Sequence, residues 1–382
     1  MKKLLSVLLA FFMVFALVGC SNNEDDNNGG TTGTEDGYKV AVVTDVGQLN
    51  DGGFNQGTYE GAVAFAEKNG LSYKYYQPAN GSDATDDDRI AAMRQAVEGG
   101  AEIVVTPGFL QAAALETVAK ENPEVKFVFV DGWNLGLDNV TAISYHEEES
   151  GFFAGYAAVM DGYTKLGGTF GGAGTNAACN RFAYGYVQGM QAAAAELDTT
   201  VEATISFLYG GSFSASTELQ TQISGWYTNG TQVVFACGGS MLQSVKAAAA
   251  ETENGKIIGV DTDQSAESDR VITSAFKNLS GSVDLTLTKW LEGKWDAELA
   301  DKLSNLGVGD EATGLPTAEG SWRFNSFTTD QYHEVFAKVA DGSIKIDSDC
   351  ADLSTAAAWD GLKANCPNVT LTLEYSFRVL IV

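Results

Sequence analysis

Histidine is almost missing from this chain of 382 residues; only His146 and His333 are present. That leaves little material for a histidine metal cluster or a histidine-based nucleophilic centre. The five cysteines stand far apart, at Cys20, Cys179, Cys237, Cys350 and Cys366, with no C-x-x-C pair. This spacing excludes the zinc-ribbon and thioredoxin readings and a disulfide-scaffolded fold. Only Cys350 and Cys366 are near enough in sequence to suggest a bridge. Five prolines leave the helical patterns mostly unbroken. Basic residues are scarce too: 23 Lys and Arg face 50 Asp and Glu, a formal net charge of −27. A body this acidic repels nucleic acid and anionic lipid surfaces, and suits a neutral or cationic ligand. Neither a G-x-S-x-G elbow nor an H-E-x-x-H pair occurs.

Two weaker patterns also fail. Gly172-Ala173-Gly174-Thr175-Asn176-Ala177 fits a loose G-x-G-x-x-A, but any glycine-rich strand-to-helix turn gives those letters. Asp261-x-Asp263-x-Ser265 begins like a calcium loop, yet Ala266 and Ile272 stand where its glycine and glutamate belong. His146 precedes Glu147-Glu148-Glu149, an acidic helix start. His333 lies in a helical pattern and reads as a surface residue. The expectation is a protein that is not an enzyme and has no cofactor and no metal.

The one long apolar run stands at the start. Lys2 and Lys3 precede Leu4 to Val18, and Gly19-Cys20 close the run. This is the layout of a secretory signal peptide, too short to span a bilayer comfortably. Leu17-Val18-Gly19-Cys20 resembles the bacterial lipobox, which makes Cys20 the expected lipidation site. Residues 1–19 are then a lipoprotein signal peptide and residues 20–37 a polar, disordered tether. The expected location is the cell membrane, lipid-anchored on its extracytoplasmic face.

From Lys39 onward, short apolar runs alternate with helical patterns. Strand runs at Lys39–Thr44, Glu102–Thr106 and Lys126–Val130 are interleaved with helical spacing over Phe54–Lys68, Asp87–Glu98 and Gln111–Glu121. The alternation restarts at Lys165 and continues to Leu291. It predicts an α/β fold of βαβ units in two lobes, each a mainly parallel sheet flanked by helices.

In such sheets, ligands bind beyond the carboxyl ends of the strands. Those ends are polar or glycine-rich here: Thr44-Asp45-Val46-Gly47, Thr106-Pro107-Gly108, Asp131-Gly132-Trp133, Cys237-Gly238-Gly239 and Asp261-Thr262-Asp263-Gln264. Carboxylates there can accept hydrogen bonds from hydroxyls or amines. Phe54, Trp133 and Phe235 could offer flat faces to a ring. The combination suits a polar, planar ligand such as a nucleoside.

These segments resemble the basic-membrane-protein family, the purine-nucleoside-receptor (PnrA-like) lipoproteins of ABC importers. Thr44 to Gln56 is similar to its first signature and Glu148 to Tyr156 to its second. Arg181 to Gly189, Val233 to Gly239, Gly259 to Gln264 and Ile272 to Lys277 follow in the family's order. Cys237 stands where a small residue is usual, and Ser240-Met241-Leu242 departs from the pattern. Residues 347–382 match nothing in the family. The resemblance implies a periplasmic-binding-protein-like (type I) fold with crossovers near a hinge. The boundaries drawn on it are 38–144 for the first lobe, with a returning segment around 261–325, and 145–260 for the second, with a C-terminal segment around 326–382. It also implies roles. Phe54 and Phe235 would sandwich the base, and Asp45 and Asn55 would bind its edge. Asp131, Gly238, Asp261 and Lys277 would hold the ribose.

The function expected is therefore a monomeric substrate-binding lipoprotein that captures a nucleoside, purine by resemblance, between its lobes and delivers it to an ABC permease. Two other readings use the same scaffold: a sensor or adhesion lipoprotein, and a receptor for another planar ligand such as riboflavin. A nucleoside-cleaving enzyme would need a site built on aspartates alone.

Overall fold

Buried β-branched runs form strands and alanine-rich amphipathic runs form helices, in the alternating order the sequence predicts. The computed structural model describes residues 39–46 and 49–375. The signal segment, Cys20 and the tether lie outside the described residues, and among those described no helix is long and apolar enough to cross a membrane.

The first block runs β1 (Val40–Val43), α1 (Phe54–Lys68), β2 (Tyr73–Tyr76), α2 (Asp86–Glu98), β3 (Ile103–Pro107), α3 (Ala112–Glu121), β4 (Lys126–Val130) and β5 (Val140–Tyr145). The second runs α4 (Glu147–Met160), β6 (Lys165–Phe170), α5 (Ala177–Glu196), β7 (Val201–Ser206), α6 (Thr217–Thr228), β8 (Val233–Cys237), α7 (Met241–Ala250), β9 (Lys256–Asp261) and β10 (Val271–Lys277). The remainder is α8 (Leu279–Leu291), β11 (Lys302–Leu306), β12 (Thr313–Gly314), α9 (Thr329–Ala340), α10 (Asp360–Asn365) and β13 (Val369–Glu374).

The strands form two sheets. One has the order β11-β5-β4-β3-β1-β2, the other β12-β10-β9-β8-β6-β7-β13. Their pairings are parallel, apart from the antiparallel β10–β12 contact. The chain passes between sheets near His146, at Asn278 and over residues 307–312. Hydrogen bonds tie these crossings together: Glu149 Oε2 accepts from the Val308 N–H at 2.8 Å and from the Thr313 hydroxyl at 2.6 Å, and the Asn278 N–H donates to the Ala312 carbonyl. The return to the first sheet is shorter than the expected 261–325. Residues 271–277 pair with β9 in the second sheet, and the segment from α8 to β11, with Trp295 and Leu299 between them, joins the first.

Each sheet is covered on both faces. α2 and α3 pack on one face of the first, α1 and α8 on the other. In the second, α6 and α7 cover one face and α4 and α5 the other. Helices α4 and α5 nearly touch backbone to backbone. A Cβ on Gly155 would lie 2.1 Å from the Tyr186 carbonyl oxygen, and one on Gly189 1.9 Å from that of Phe152. The glycine spacing of the second and third motifs is thus a helix–helix contact. It fixes the start of α5 against the site. The C-terminal residues that match no motif bury Leu353, Trp359, Leu362 and Val369 in the same core, and β13 extends the sheet beside β7. All four described cysteines are free thiols, Cys350 and Cys366 included.

Candidate functional site

The carboxyl ends of the two sheets face each other, and the loops that leave them enclose a cavity of about 350 Å³. On the first-lobe side, β1 delivers Asp45. The following loop delivers Asp51, whose carboxylate accepts N–H bonds from Gly53 (2.9 Å), Asn55 (3.0 Å) and Gln56 (3.2 Å). It satisfies the free donors at the start of α1. That capping sets Phe54 and Asn55 at the cavity wall. Asn55 is buried, and its Oδ1 has no hydrogen-bond partner among the described residues. Gly108 follows β3 at φ +100°, and a Cβ there would come within 2.1 Å of Asp45 Oδ2. Glycine is required for the acid to occupy its place.

At the base of the cavity stands Lys277, only 2% exposed. Its Nζ lies 2.6 Å from Asp131 Oδ2, 3.4 Å from Asp261 Oδ1 and 3.5 Å from Glu147 Oε1. Glu147 also accepts from Arg181 Nε at 2.5 Å. Asp131 and Asp261 follow or end the central strands β4 and β9, and both hold left-handed backbone, at φ +55° and +65°. Aspartate tolerates this region better than most residues, and such local strain clusters at binding sites. Burial raises the Asp131 carboxyl to about 6 despite Lys277, and burial likewise raises Asp261 and Asp51. Burial disfavours the Lys277 ammonium, but Asp131, Asp261 and Glu147 outweigh it and hold the lysine well above its ordinary range. The lysine is charged, and it is shared among more acids than it can neutralise. Asp131 Oδ1 still has no hydrogen-bond partner among the described residues. The cavity therefore offers unused acceptors to a ligand that brings hydroxyl or amine donors.

The second-lobe wall is built differently. Gly238 (φ +140°) and Gly239 (φ +43°) leave β8 in conformations that glycine favours. Their turn abuts Phe213, itself at φ +58°, whose carbonyl accepts the Ser240 N–H at 3.0 Å. The Phe213 ring meets Phe109 of the first lobe edge-on, with centroids 6.1 Å apart. Phe54 lies under Lys277, whose Nζ is 4.9 Å from the ring centre.

Seven residues singled out from the sequence line this one cavity: Asp45, Phe54, Asn55, Asp131, Gly238, Asp261 and Lys277. Phe235 does not. It is fully buried in β8, with ring centroids 5.2 Å from those of Phe170 and Tyr186 and 5.9 Å from that of Phe182. A strand residue two positions before the carboxyl end belongs to the sheet's packed face, not to its ligand edge. Trp133 is also elsewhere: 47% exposed, it rests on Phe129. The sequence reading missed Phe109 and Phe213. The strand-end rule that found Asp45 points to both, since each sits in the loop leaving a strand.

Two α/β lobes joined by three crossings, with a polar and aromatic cavity between their strand ends, define a two-lobed solute-binding protein. The chain belongs to the family described as "ABC transporter substrate-binding protein PnrA-like", whose model matches residues 38–338. Among its relatives, the "ABC transporter nucleoside-binding protein BmpA" of Lactococcus lactis subsp. cremoris is 28% identical over 316 residues, 77% of this chain and 86% of that protein. The "CD4+ T-cell-stimulating antigen" of Listeria innocua is 26% identical over 363 residues, 90% of this chain and 96% of that protein. Among solved structures, an ABC transporter solute-binding protein from Aeropyrum pernix K1 aligns with a TM-score of 0.69 at 22% identity, covering 86% of this chain and 97% of that one. That likeness shows the fold: periplasmic-binding-protein-like, with mainly parallel sheets flanked by helices.

Proposed function

We propose that this protein is the nucleoside receptor of an ABC importer, held at the extracytoplasmic membrane face by lipid on Cys20 and working as a monomer. The observation that supports it most is the shared lysine. Lys277 draws Asp131 and Asp261 to one point, and Asp131 retains an open acceptor there. Vicinal hydroxyls of a ribose would donate to those carboxylates and receive from the ammonium. Asn55, with its open Oδ1, and Asp45 would take the donor edge of the base. Phe54 supplies one aromatic face. Phe213, in place of Phe235, supplies the second, backed by Phe109. Gly238 lets the second-lobe backbone approach the ligand. The relative named as nucleoside-binding adds support through shared family.

Calorimetric titration of the purified protein with inosine, guanosine, adenosine, cytidine, free ribose, free hypoxanthine and riboflavin tests this. Binding of a nucleoside at least tenfold tighter than its own base and sugar is expected. Nucleosides that bind no better than ribose, or riboflavin as the tightest ligand, would overturn it.

A further inference from the structure

The first and fifth motifs hold residues that the proposed ligand contacts leave unused: Gly52 and Gly53 in one, Thr262 and Gln264 in the other. The fold brings them together across the two lobes. The Thr262 hydroxyl and Gln264 Nε2 each donate to the Gly52 carbonyl at 2.9 Å. One carbonyl oxygen has two lone pairs and accepts both. The fit around it is close. A Cβ on Gly53 would lie 3.3 Å from Gln264 Nε2, and one on Gly57 2.7 Å from the Thr262 methyl. These glycines are where the second lobe lands.

Both partners are set before they meet. Gln264 is buried, and its other bonds stay inside the second lobe: its Oε1 accepts the Val260 N–H at 2.8 Å, and its backbone N–H donates to Ser274 Oγ at 3.0 Å. Thr262 follows Asp261, whose left-handed backbone closes a tight turn in which the Thr262 N–H donates to the Val260 carbonyl at 2.8 Å. Asp261 lines the cavity from this turn, and Thr262 leaves it toward the first lobe. On the other side, the Gly52 N–H donates to Gln56 Oε1 at 3.1 Å, and the Gly53 N–H to Asp51. Neither side has to be ordered on contact, so little of the bonds' worth is lost to entropy.

We infer that Thr262 and Gln264 are a latch: positioning residues of the second lobe that clasp the Gly52 carbonyl of the first and hold the lobes closed before any ligand enters. The inference rests on the two-lobed architecture and not on the nucleoside reading. Opening the cleft hands the Gly52 carbonyl, the hydroxyl and the amide to water; closing it returns them to one another. The Phe109–Phe213 ring contact also joins the lobes, yet it shares no residue with the latch, so it reports closure independently.

The test uses the ligand-free full chain, with amide hydrogen exchange read by mass spectrometry and the radius of gyration read by small-angle scattering. Thr262→Val keeps the methyl against Gly57 and removes one latch bond. It should speed exchange in the loops bearing Phe109 and Phe213 by about fivefold, the worth of one hydrogen bond, and enlarge the radius of gyration. Gln264→Leu should do so more strongly. Ser280→Ala removes a bond to the Gly57 carbonyl that lies wholly inside the first lobe, and should leave both readouts at the parent values. Faster exchange confined to residues 50–57 and 260–266, with the Phe109 and Phe213 loops and the radius of gyration unchanged, would reduce these residues to local packing and overturn the latch. So would a Ser280→Ala variant that matches Thr262→Val. No ligand is added, so the latch can fail while the nucleoside reading stands, and the reverse.

Discussion

The first-lobe wall of the cavity is held by side chains that cap backbone, the second by backbone forced into the left-handed region. Asp51 fixes Phe54 and Asn55 through the amides of α1, whereas Phe213, Gly238 and Gly239 hold their places through positive φ angles. A capped wall tolerates change in its neighbours, because one acid satisfies several donors at once. A strained loop depends on everything packed around it. Lys277 joins the two walls, pairing with Asp131 of the first and Asp261 of the second.

The joint is the place where the comparison breaks most visibly. Lys277→Met leaves Asp131 and Asp261 facing each other without the cation between them, while Glu147 keeps Arg181. Loss of one partner from a buried ion pair costs about 3–5 kcal/mol, and thermal melting should show a loss of that order. A melting point within a degree or two of the parent would mean that the acids do not depend on the lysine.

Phe235→Ala and Phe213→Ala separate core from wall. Phe235 packs among three other rings, so its truncation should cost about 3–5 kcal/mol of stability, while the folded fraction keeps its nucleoside affinity. Phe213→Ala should do the opposite. A stacking face contributes about 1–3 kcal/mol, so calorimetry should read a loss of about tenfold or more, with a smaller fall in melting temperature than Phe235→Ala gives. If the two variants exchange these behaviours, the original assignment of Phe235 as a stacking face is restored.

The smallest effect sharpens the polar half of the site. With its carboxyl raised from 3.8 to about 6, Asp131 binds its proton more tightly folded than unfolded. Its contribution to the stability of the free protein is therefore fully present below about pH 4 and lost as pH rises through 6. A ligand hydroxyl donating to Asp131 needs the carboxylate, so affinity should move the other way, weakening as pH falls through 6. Titrations from pH 7.5 to 5 should show this slope, and Asp131→Asn should flatten it. An equal slope in the variant would place the titrating group elsewhere.

The same contrast explains what the sequence revealed. Short apolar runs and helical spacing foretold both sheets, because buried strands need apolar residues whatever their partners. Asp45, Asp131, Gly238 and Asp261 were legible because a parallel sheet presents its strand ends to the ligand. Phe235 misled because an aromatic near a strand end looks alike in core and cleft; only burial separates them. Phe213 was missed although it follows β7, because nothing in Gly210-Gly211-Ser212-Phe213-Ser214 singles it out from the rest of that loop. The return of α8 and β11 to the first sheet is a long-range pairing, set by the tertiary fit of β11 against β5 rather than by local pattern.

Lys277 precedes the crossing at Asn278 by one residue, and that position sets a lever. The crossings join the β5–β11 side of one sheet to the β10–β12 side of the other. At about 4.8 Å per strand, β3 stands about 10 Å from β5 and β7 about 19 Å from β10. A rigid rotation around that side would carry the loops bearing Phe109 and Phe213 in proportion to those distances. The lysine and its acids, close to the pivot, would hardly move. On the nucleoside proposal, the sugar seat would then exist before the jaws meet, and the ring contact would be made only by their meeting.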